Sequence, residues 1–88
     1  MSDYNGWKNR ATWNVALWLN NDEALYNKVV NYLKRRKRRG MKISWTDFTT
    51  QTSLKHMKTP DGYSYLSSEV CKSEMTAMLN EMAKEVVV

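Results

Sequence analysis

The first hydrophobic pattern of the chain predicts a helix over Arg10–Asn20, capped by Asn9. Most of its hydrophobic side chains fall on two faces of the helix. One face carries Trp13, Ala16, Leu17 and Asn20, and the other carries Val15, Trp18 and Leu19. A helix that is apolar on most sides usually lies at the centre of a bundle. Asn14 is the polar exception within it.

A longer second helix is predicted over Glu23–Arg39. Asp22 and Glu23 favour its start, because acidic side chains accept N-terminal N–H groups and suit the positive end of the helix dipole. The side expected to be buried carries Leu25, Tyr26, Val29, Val30 and Leu33. The hydrophobic pattern stops at Leu33, whereas Gly40, a residue type that commonly ends helices, comes only after six more positions. We therefore expect the end of this helix to project beyond the core.

The middle of the chain, residues 41–66, contains patterns typical of a helix and others typical of a strand. Ser44 followed by Asp47 resembles a capping box, and Trp45, Phe48 and Thr52 follow helical spacing. Four threonines in the same stretch favour a strand instead. We predict a third helix over Trp45–His56.

The last third of the chain predicts a turn, an extended segment and a final helix. Thr59-Pro60-Asp61-Gly62 is typical of a β-turn. Tyr63–Leu66 is expected to return to the core, and Ser68–Val86 to form the last helix. Its apolar stripe contains Val70, Cys71, Met75, Met78, Leu79, Met82 and Val86. The predicted fold is a small all-α bundle of three to four helices.

A chain of 88 residues supports one domain, which we place at 1–88. Four Trp, five Tyr and one Phe give so small a domain the large side chains that its core needs. The single Cys cannot form an intramolecular disulfide, Met1–Trp7 has no hydrophobic leader, and the longest interior apolar run is Val15–Leu19. These features predict a soluble intracellular protein.

Positive charge is concentrated in one segment. The net charge is +5, and seven of the fourteen basic residues lie within nine positions. We call these residues the basic run: Lys34, Arg35, Arg36, Lys37, Arg38, Arg39 and Lys42. Seven basic and nine acidic residues elsewhere leave the rest of the chain at −2. This asymmetry predicts a polyanionic partner.

The basic run predicts phosphate contacts and no reading of bases. Successive helical residues advance by about 100°, so Lys34 to Arg39 are expected to point to all sides of the axis, unlike a groove-reading helix. Four arginines favour bidentate phosphate contacts, which carry no sequence information. Neutralising four or five phosphates predicts a log K against log salt slope of about −4 to −4.5. The alternative is a solvated helix end that aids solubility.

Residues for catalysis or metal binding are scarce. His56 is the only imidazole, so one chain cannot form a multi-His metal site. A nucleophilic pair of Cys71 and His56 is formally possible, but a Cys on an apolar stripe is usually inert packing. His56 is expected to be exposed at a helix end. We predict a non-enzymatic protein without metal or cofactor.

The methionines and tryptophans allow two interpretations each. Met75, Met78 and Met82 either fill the core or form an adaptable contact surface, for example in a homodimer. Trp13, and either Trp18 or Trp45, are expected in the core. One exposed Trp would suit stacking on a base.

The opening segment, residues 4–23 (YNGWKNRATWNVALWLNNDE), resembles a group of small, largely uncharacterised bacteriophage proteins. These share a pattern close to N-G-W-x-N-R-x-T-W-N-V-x-L-W-x-x-N-D, often with Glu where this chain has Ala11. Thr59-Pro60-Asp61-Gly62 and Leu79-Asn80-Glu81-Met82 are similar to further pieces of that group. The resemblance implies a phage gene expressed in the host bacterial cytoplasm, and it implies no activity.

Small phage proteins commonly act by stoichiometric binding to host machinery. The alternative function is therefore inhibition of a host or defence enzyme, such as a nuclease or polymerase, through protein–protein contact. The basic run would then meet an acidic patch of that enzyme or the nucleic acid that it holds.

Overall fold

Four α-helices dominate residues 6–87, the part of the chain that the computed structural model describes; 1–5, with Tyr4 and Asn5 of the opening pattern, and 88 lie outside it. The helices are α1 (Arg10–Asn21), α2 (Glu23–Arg39), α3 (Trp45–Gln51) and α4 (Lys72–Ala83), with a short 3-10 helix at Leu54–His56. The predicted all-α bundle is confirmed. No helix in this described part is long and apolar enough to cross a bilayer.

The first three helices begin where the sequence predicts, because a polar side chain caps each one. Asn9 accepts a hydrogen bond from the Thr12 N–H at 2.9 Å. Asp22 separates α1 from α2 and accepts from the Leu25 N–H at 3.1 Å. Ser44 accepts from the Asp47 N–H at 3.1 Å. Each cap satisfies an N–H group that the helix itself leaves without a partner.

The prediction that α3 reaches His56 is wrong, since the helix ends at Gln51. The hydroxyl groups of Thr49, Thr50 and Thr52 each donate to the carbonyl four residues earlier. Such bonds compete with helical amide donors. Ser53 then takes a left-handed conformation with φ 64°, and the chain resumes as the 3-10 helix.

The predicted last helix is also too long at both ends, because α4 covers only Lys72–Ala83. The Cys71 N–H donates to the Thr12 hydroxyl at 2.9 Å, so the segment before α4 is fastened to α1 instead of continuing the helix. Val70 is nevertheless buried, at 2% exposure. Cys71 lies outside the helix and is half-buried, so its predicted place on the apolar stripe is wrong.

The aromatic centre of the core lies between α2 and α3. Phe48 packs edge-on against Tyr32, with ring centroids 5.2 Å apart, and its ring is tilted by 38° to that of Trp45, at 5.3 Å. All three side chains are fully buried. The Trp45 indole N–H donates to the Tyr65 carbonyl at 2.8 Å, which ties the segment after the predicted turn to the core.

The predictions that Trp13 and Tyr26 are buried in the core are wrong, whereas Trp45 fulfils the prediction that either Trp18 or Trp45 lies there. Trp13 and Trp18 are only half-buried, and Leu17 is 37% exposed. The inner side of α1 instead carries Ala11, Thr12, Asn14, Val15, Ala16 and Leu19. On α2, Tyr26 is 43% exposed, whereas Tyr32, which the pattern did not select, is buried.

A first group of hydrogen bonds fastens the start of α1 to the segment before α4. The Asn9 side chain accepts from the Thr12 hydroxyl at 2.7 Å and donates to the Glu69 carbonyl at 2.7 Å. The same Thr12 hydroxyl accepts from the Cys71 N–H. Thr12 is fully buried, so its donor and its acceptor capacity are both used inside the protein.

A second group fastens the predicted turn to the middle of α1. The Asp61 carboxylate accepts from the Asn14 amide at 2.8 Å and from the Trp18 indole at 3.0 Å. The Thr59 hydroxyl donates to the Asn14 side-chain oxygen at 2.7 Å. A lone antiparallel bridge between Lys58 and Ser64 closes the turn. We refer to both groups together as the polar network: Asn9, Thr12, Asn14, Trp18, Thr59 and Asp61.

Candidate anion-binding site

Six residues of the basic run, Lys34 to Arg39, form the last turns of α2, as predicted, and Lys42 follows the end of the helix. The last buried residue of the helix is Leu33, and the helix continues to Arg39. Gly40 then takes the left-handed conformation, with φ 64°, and its N–H donates to the Lys37 carbonyl at 3.2 Å. The Met41 N–H donates to the Arg36 carbonyl at 2.9 Å. This pair of bonds is a Schellman motif, which satisfies the carbonyl groups at the end of the helix.

Five members of the basic run are exposed to solvent. Within residues 6–87, none of their side chains forms a hydrogen bond or an ion pair. We call this set the exposed cations: Lys34, Arg35, Arg38, Arg39 and Lys42. Their exposure agrees with the prediction that positive charge at the end of α2 projects into solvent, and binding of a partner there stays a prediction.

Arg36 instead belongs to the packing between α2 and α3. Its guanidinium forms an ion pair with Asp47, and only 11% of its side chain is exposed. The Tyr32 hydroxyl donates to the same carboxylate at 2.7 Å, and the guanidinium lies 5.4 Å from the Tyr32 ring centroid. Burial and the Asp47 contact raise the pKa of Tyr32 above its ordinary value. The side chain of Arg36 therefore already has an internal anionic partner.

Lys37 also points inward, towards the end of α4. Its ammonium donates to the carbonyl oxygens of Ala83 and Val86, both at 2.6 Å. Ala83 is the last residue of α4, and its carbonyl also accepts from the Val86 N–H at 3.2 Å, so the Lys37 ammonium binds the turn that ends this helix. The expectation that the whole end of α2 projects clear of the core is therefore wrong at Arg36 and Lys37.

The two internal contacts change the geometry of the predicted ring of cations. At about 100° per residue, Lys34, Arg35, Arg38 and Arg39 occupy an arc of about 140° around the helix axis. Arg36 and Lys37 occupy the remaining side, which faces α3 and α4. The exposed positive charge of α2 therefore lies on one side of the helix.

A small cavity lies between the end of α2 and α3. It has a volume of about 130 Å³ and is lined by Arg35, Arg36, Arg39, Met41 and Gln51. We call it the arginine pocket. Sequence reasoning missed Met41 and Gln51, because their place in the pocket depends on how α3 packs against α2. Gln51 does lie four residues after Asp47, and its amide is 3.3 Å from that carboxylate.

A larger groove lies beside α2 on the side of α4. Its volume is about 470 Å³, and its lining includes Tyr26, Val30, Lys34, Met82, Glu85 and Val86. It therefore combines apolar walls with one charge of each sign. Lys34 is the exposed cation that borders this groove.

The three methionines of α4, Met75, Met78 and Met82, differ in how far they are buried. Met75 is fully buried, which confirms core packing for that residue. Met78 and Met82 are half-buried and pack against the core. A homodimer surface stays a prediction, and only these last two methionines are accessible to one.

The other reactive side chains lie at the ends of short elements. His56 is exposed at the end of the 3-10 helix, as predicted. Cys71 precedes α4, and its sulfur lies 3.4 Å from the Ser73 hydroxyl. The Ser73 hydroxyl and the Glu74 backbone N–H lower the pKa of the Cys71 thiol.

Comparison with known proteins gives one match. No curated protein and no solved structure matches the chain. Residues 1–86 match a protein family described as a family of unknown function, DUF7249. Because this match covers nearly the whole sequence, the chain belongs to the DUF7249 family.

Proposed function

We propose that this protein is a non-enzymatic binder of nucleic acid that contacts the phosphate backbone through the exposed cations at the end of α2 and just after it. The observation that carries the proposal is the exposure of five basic side chains without an internal partner among residues 6–87. Adjacent like charges repel each other on a helix, and an external polyanion relieves that repulsion. Nucleic acid is the polyanion whose charge is spaced closely enough to engage several of these residues together.

The internal contacts of the basic run support a fixed presentation of these charges. Arg36 holds α2 to α3, and Lys37 holds it to the end of α4. The helix that carries the exposed arginines is thereby attached on two sides. Arginine forms bidentate bonds with phosphate oxygens, and such bonds position a protein without reading the sequence. The proposal is therefore one of binding with little preference between sequences.

The proposal is tested by measuring fluorescence anisotropy of labelled duplex and single-stranded DNA between about 50 and 200 mM salt. On duplex DNA, four or five phosphate contacts give a log K against log salt slope of about −4, so affinity falls a few hundredfold over this range; on single strands the slope is about −3. Replacing all five exposed cations by Gln is expected to abolish binding. Arg36 and Lys37 are kept, because their contacts hold the fold together.

The matched control removes the same number of positive charges elsewhere. It changes five exposed lysines to Gln: Lys8, Lys28, Lys55, Lys58 and Lys84. If binding depends on the end of α2, this control retains most of the affinity. Equal loss in both variants would show that only the net charge matters, and binding that survives in the first variant would remove the exposed cations from the function.

The second candidate is inhibition of a bacterial host or defence enzyme by protein–protein contact. The groove between α2 and α4 favours it, because Tyr26 is 43% exposed there beside Met82 and Val86. Exposed tyrosines are common anchors at protein interfaces. In that case Tyr26→Ala would abolish capture of one host protein, at fixed stoichiometry, from nuclease-treated lysate. The same variant would leave DNA affinity unchanged.

A further inference from the structure

The arginine pocket differs from the rest of the basic surface because it is concave. Arg35 and Arg39 lie one helical turn apart, about 6 Å along the axis, and both line the pocket. A cavity of about 130 Å³ has room for several water molecules, and therefore for one tetrahedral phosphate group. We infer that the pocket is a discrete binding site for a single phosphate group of a nucleic-acid strand, held between Arg35 and Arg39.

The charges around the pocket favour an anion. Asp47 is the acidic residue next to it, and its carboxylate is already engaged by Arg36, by the Tyr32 hydroxyl at 2.7 Å and by the Gln51 amide at 3.3 Å. Arg36 and Asp47 therefore cancel as a pair. Two positive charges, those of Arg35 and Arg39, remain for a ligand.

The part of the pocket wall that Arg36 and Met41 form is held in place before any ligand binds. One terminal guanidinium nitrogen of Arg36, Nη2, pairs with Asp47, and the second terminal nitrogen, Nη1, lies 3.5 Å from the Met41 sulfur. Arg36 is thus a positioning residue that fixes α3 and the turn after α2 around the pocket. A preformed wall lowers the cost of ordering side chains when a ligand binds.

This inference rests on the proposed function, and its test separates the two. Two double variants each remove two positive charges from α2: Arg35→Gln with Arg39→Gln inside the pocket, and Lys34→Gln with Arg38→Gln outside it. Both pairs have i, i+4 spacing and both consist of exposed residues. Circular dichroism and thermal unfolding confirm that each variant is folded.

We expect the pocket variant to bind DNA about tenfold more weakly than the outside variant, because bidentate contacts are lost in addition to charge. Equal weakening of the two variants overturns the pocket and leaves the proposed function intact. A wild-type protein that binds no DNA overturns both.

A second pair of variants tests the pocket through Gln51, which lines it, and leaves every arginine unchanged. Gln51→Glu places a carboxylate at the pocket, whereas Thr50→Glu places one on the neighbouring exposed position of α3. We expect Gln51→Glu to weaken DNA binding several-fold more than Thr50→Glu, because only the former charge repels the phosphate and attracts Arg35 and Arg39. Equal effects of the two substitutions contradict the inference.

The phosphate group can come from two places on a strand. Oligonucleotides with a 5′-hydroxyl or a 5′-phosphate, otherwise identical, distinguish them. If the excess loss in the pocket variant occurs with both strands, the pocket holds an internal phosphodiester. If it occurs only with the 5′-phosphorylated strand, the pocket holds a terminal phosphate. If it occurs with neither strand, the inference is wrong.

Discussion

The polar network and the basic run are both rich in hydrogen-bonding side chains, but they use that capacity differently. In the polar network, the buried polar side chains have partners within the protein: the Thr59 hydroxyl donates to Asn14, and Asn14 donates to the exposed Asp61 carboxylate. In the basic run, Arg36 and Lys37 have internal partners, and the five exposed cations have none among residues 6–87.

The difference indicates which region maintains the fold and which is available for binding. A buried polar group without a partner is costly, so a satisfied network makes a single arrangement of the chain favourable. Exposed charges add little to stability, and their binding capacity stays available. Four residues of the opening pattern belong to the polar network and are therefore explained by folding: Asn9, Thr12, Asn14 and Trp18.

The largest expected effect is that of Trp45→Ala, which should lower the free energy of unfolding by about 3–5 kcal/mol. Trp45 is fully buried and joins the core to Tyr65, in the segment next to the polar network. Urea denaturation measures the change. Trp13→Ala is the control, since that side chain is only half-buried and its loss should cost clearly less. Equal costs would mean that the two rings contribute alike to the core.

Asn14→Ala should lower the free energy of unfolding by about 1–3 kcal/mol, because the buried Thr59 hydroxyl loses its acceptor. DNA affinity, measured by anisotropy at a temperature where the variant is folded, should stay unchanged. Asn27→Ala, at an exposed position of α2, is the matched control and should change stability by less than about 0.5 kcal/mol. A loss of DNA affinity in folded Asn14→Ala would break the separation between the two regions.

Arg36→Gln should lower the free energy of unfolding by about 1–2 kcal/mol, since it leaves Asp47 and Tyr32 without their cationic partner. Arg38→Gln removes the same charge from an exposed position and should have no measurable effect on thermal unfolding. The comparison of the two variants tests whether Arg36 stabilises the fold while the exposed cations of the basic run do not. Identical melting temperatures for the two variants would place Arg36 among the exposed cations.

The smallest effect concerns pH. Hydrogen bonds from Asn14 and Trp18 lower the pKa of Asp61, so the folded state favours the charged carboxylate. The resulting stabilisation is fully present above the ordinary Asp pKa of about 3.9 and is lost as the pH falls through the lower pKa of the folded state. Urea midpoints between about pH 5 and pH 2 should therefore decrease more in the wild type than in Asp61→Asn. Parallel decreases would contradict a charged Asp61 in the polar network.

Sequence patterns predicted the elements that depend on local chemistry. The caps at Asn9, Asp22 and Ser44, and the end of α2 at Gly40, are set by side chains within a few residues of the helix terminus. Such signals can be found in one stretch of sequence. The all-α fold followed from them and is confirmed.

Apart from the early end of α3, which has a local cause in its threonine hydroxyl groups, the incorrect predictions concern contacts between distant segments. The late start of α4 depends on a bond between Cys71 and Thr12, which are 59 residues apart. The half-burial of Trp13, which was predicted in the core, depends on which side of α1 meets the other helices. Helical spacing gives the period of a face but not the identity of its neighbour. The arginine pocket was missed for the same reason, since Gln51 reaches it only after α3 folds against α2.

The bonds of Lys37 have a consequence for chemical modification. Two of its three ammonium protons are held by the carbonyl groups of Ala83 and Val86, whereas Lys34 and Lys42 are exposed to solvent. Reagents that acylate amines should therefore consume Lys34 and Lys42 first and Lys37 last. At first, acylation would weaken the proposed binding of DNA while Lys37 still joins α2 to α4. Only later would it reach Lys37 and lower the melting temperature. Mass spectrometry would show which lysine is modified at each stage, and melting curves would show when the fold is affected.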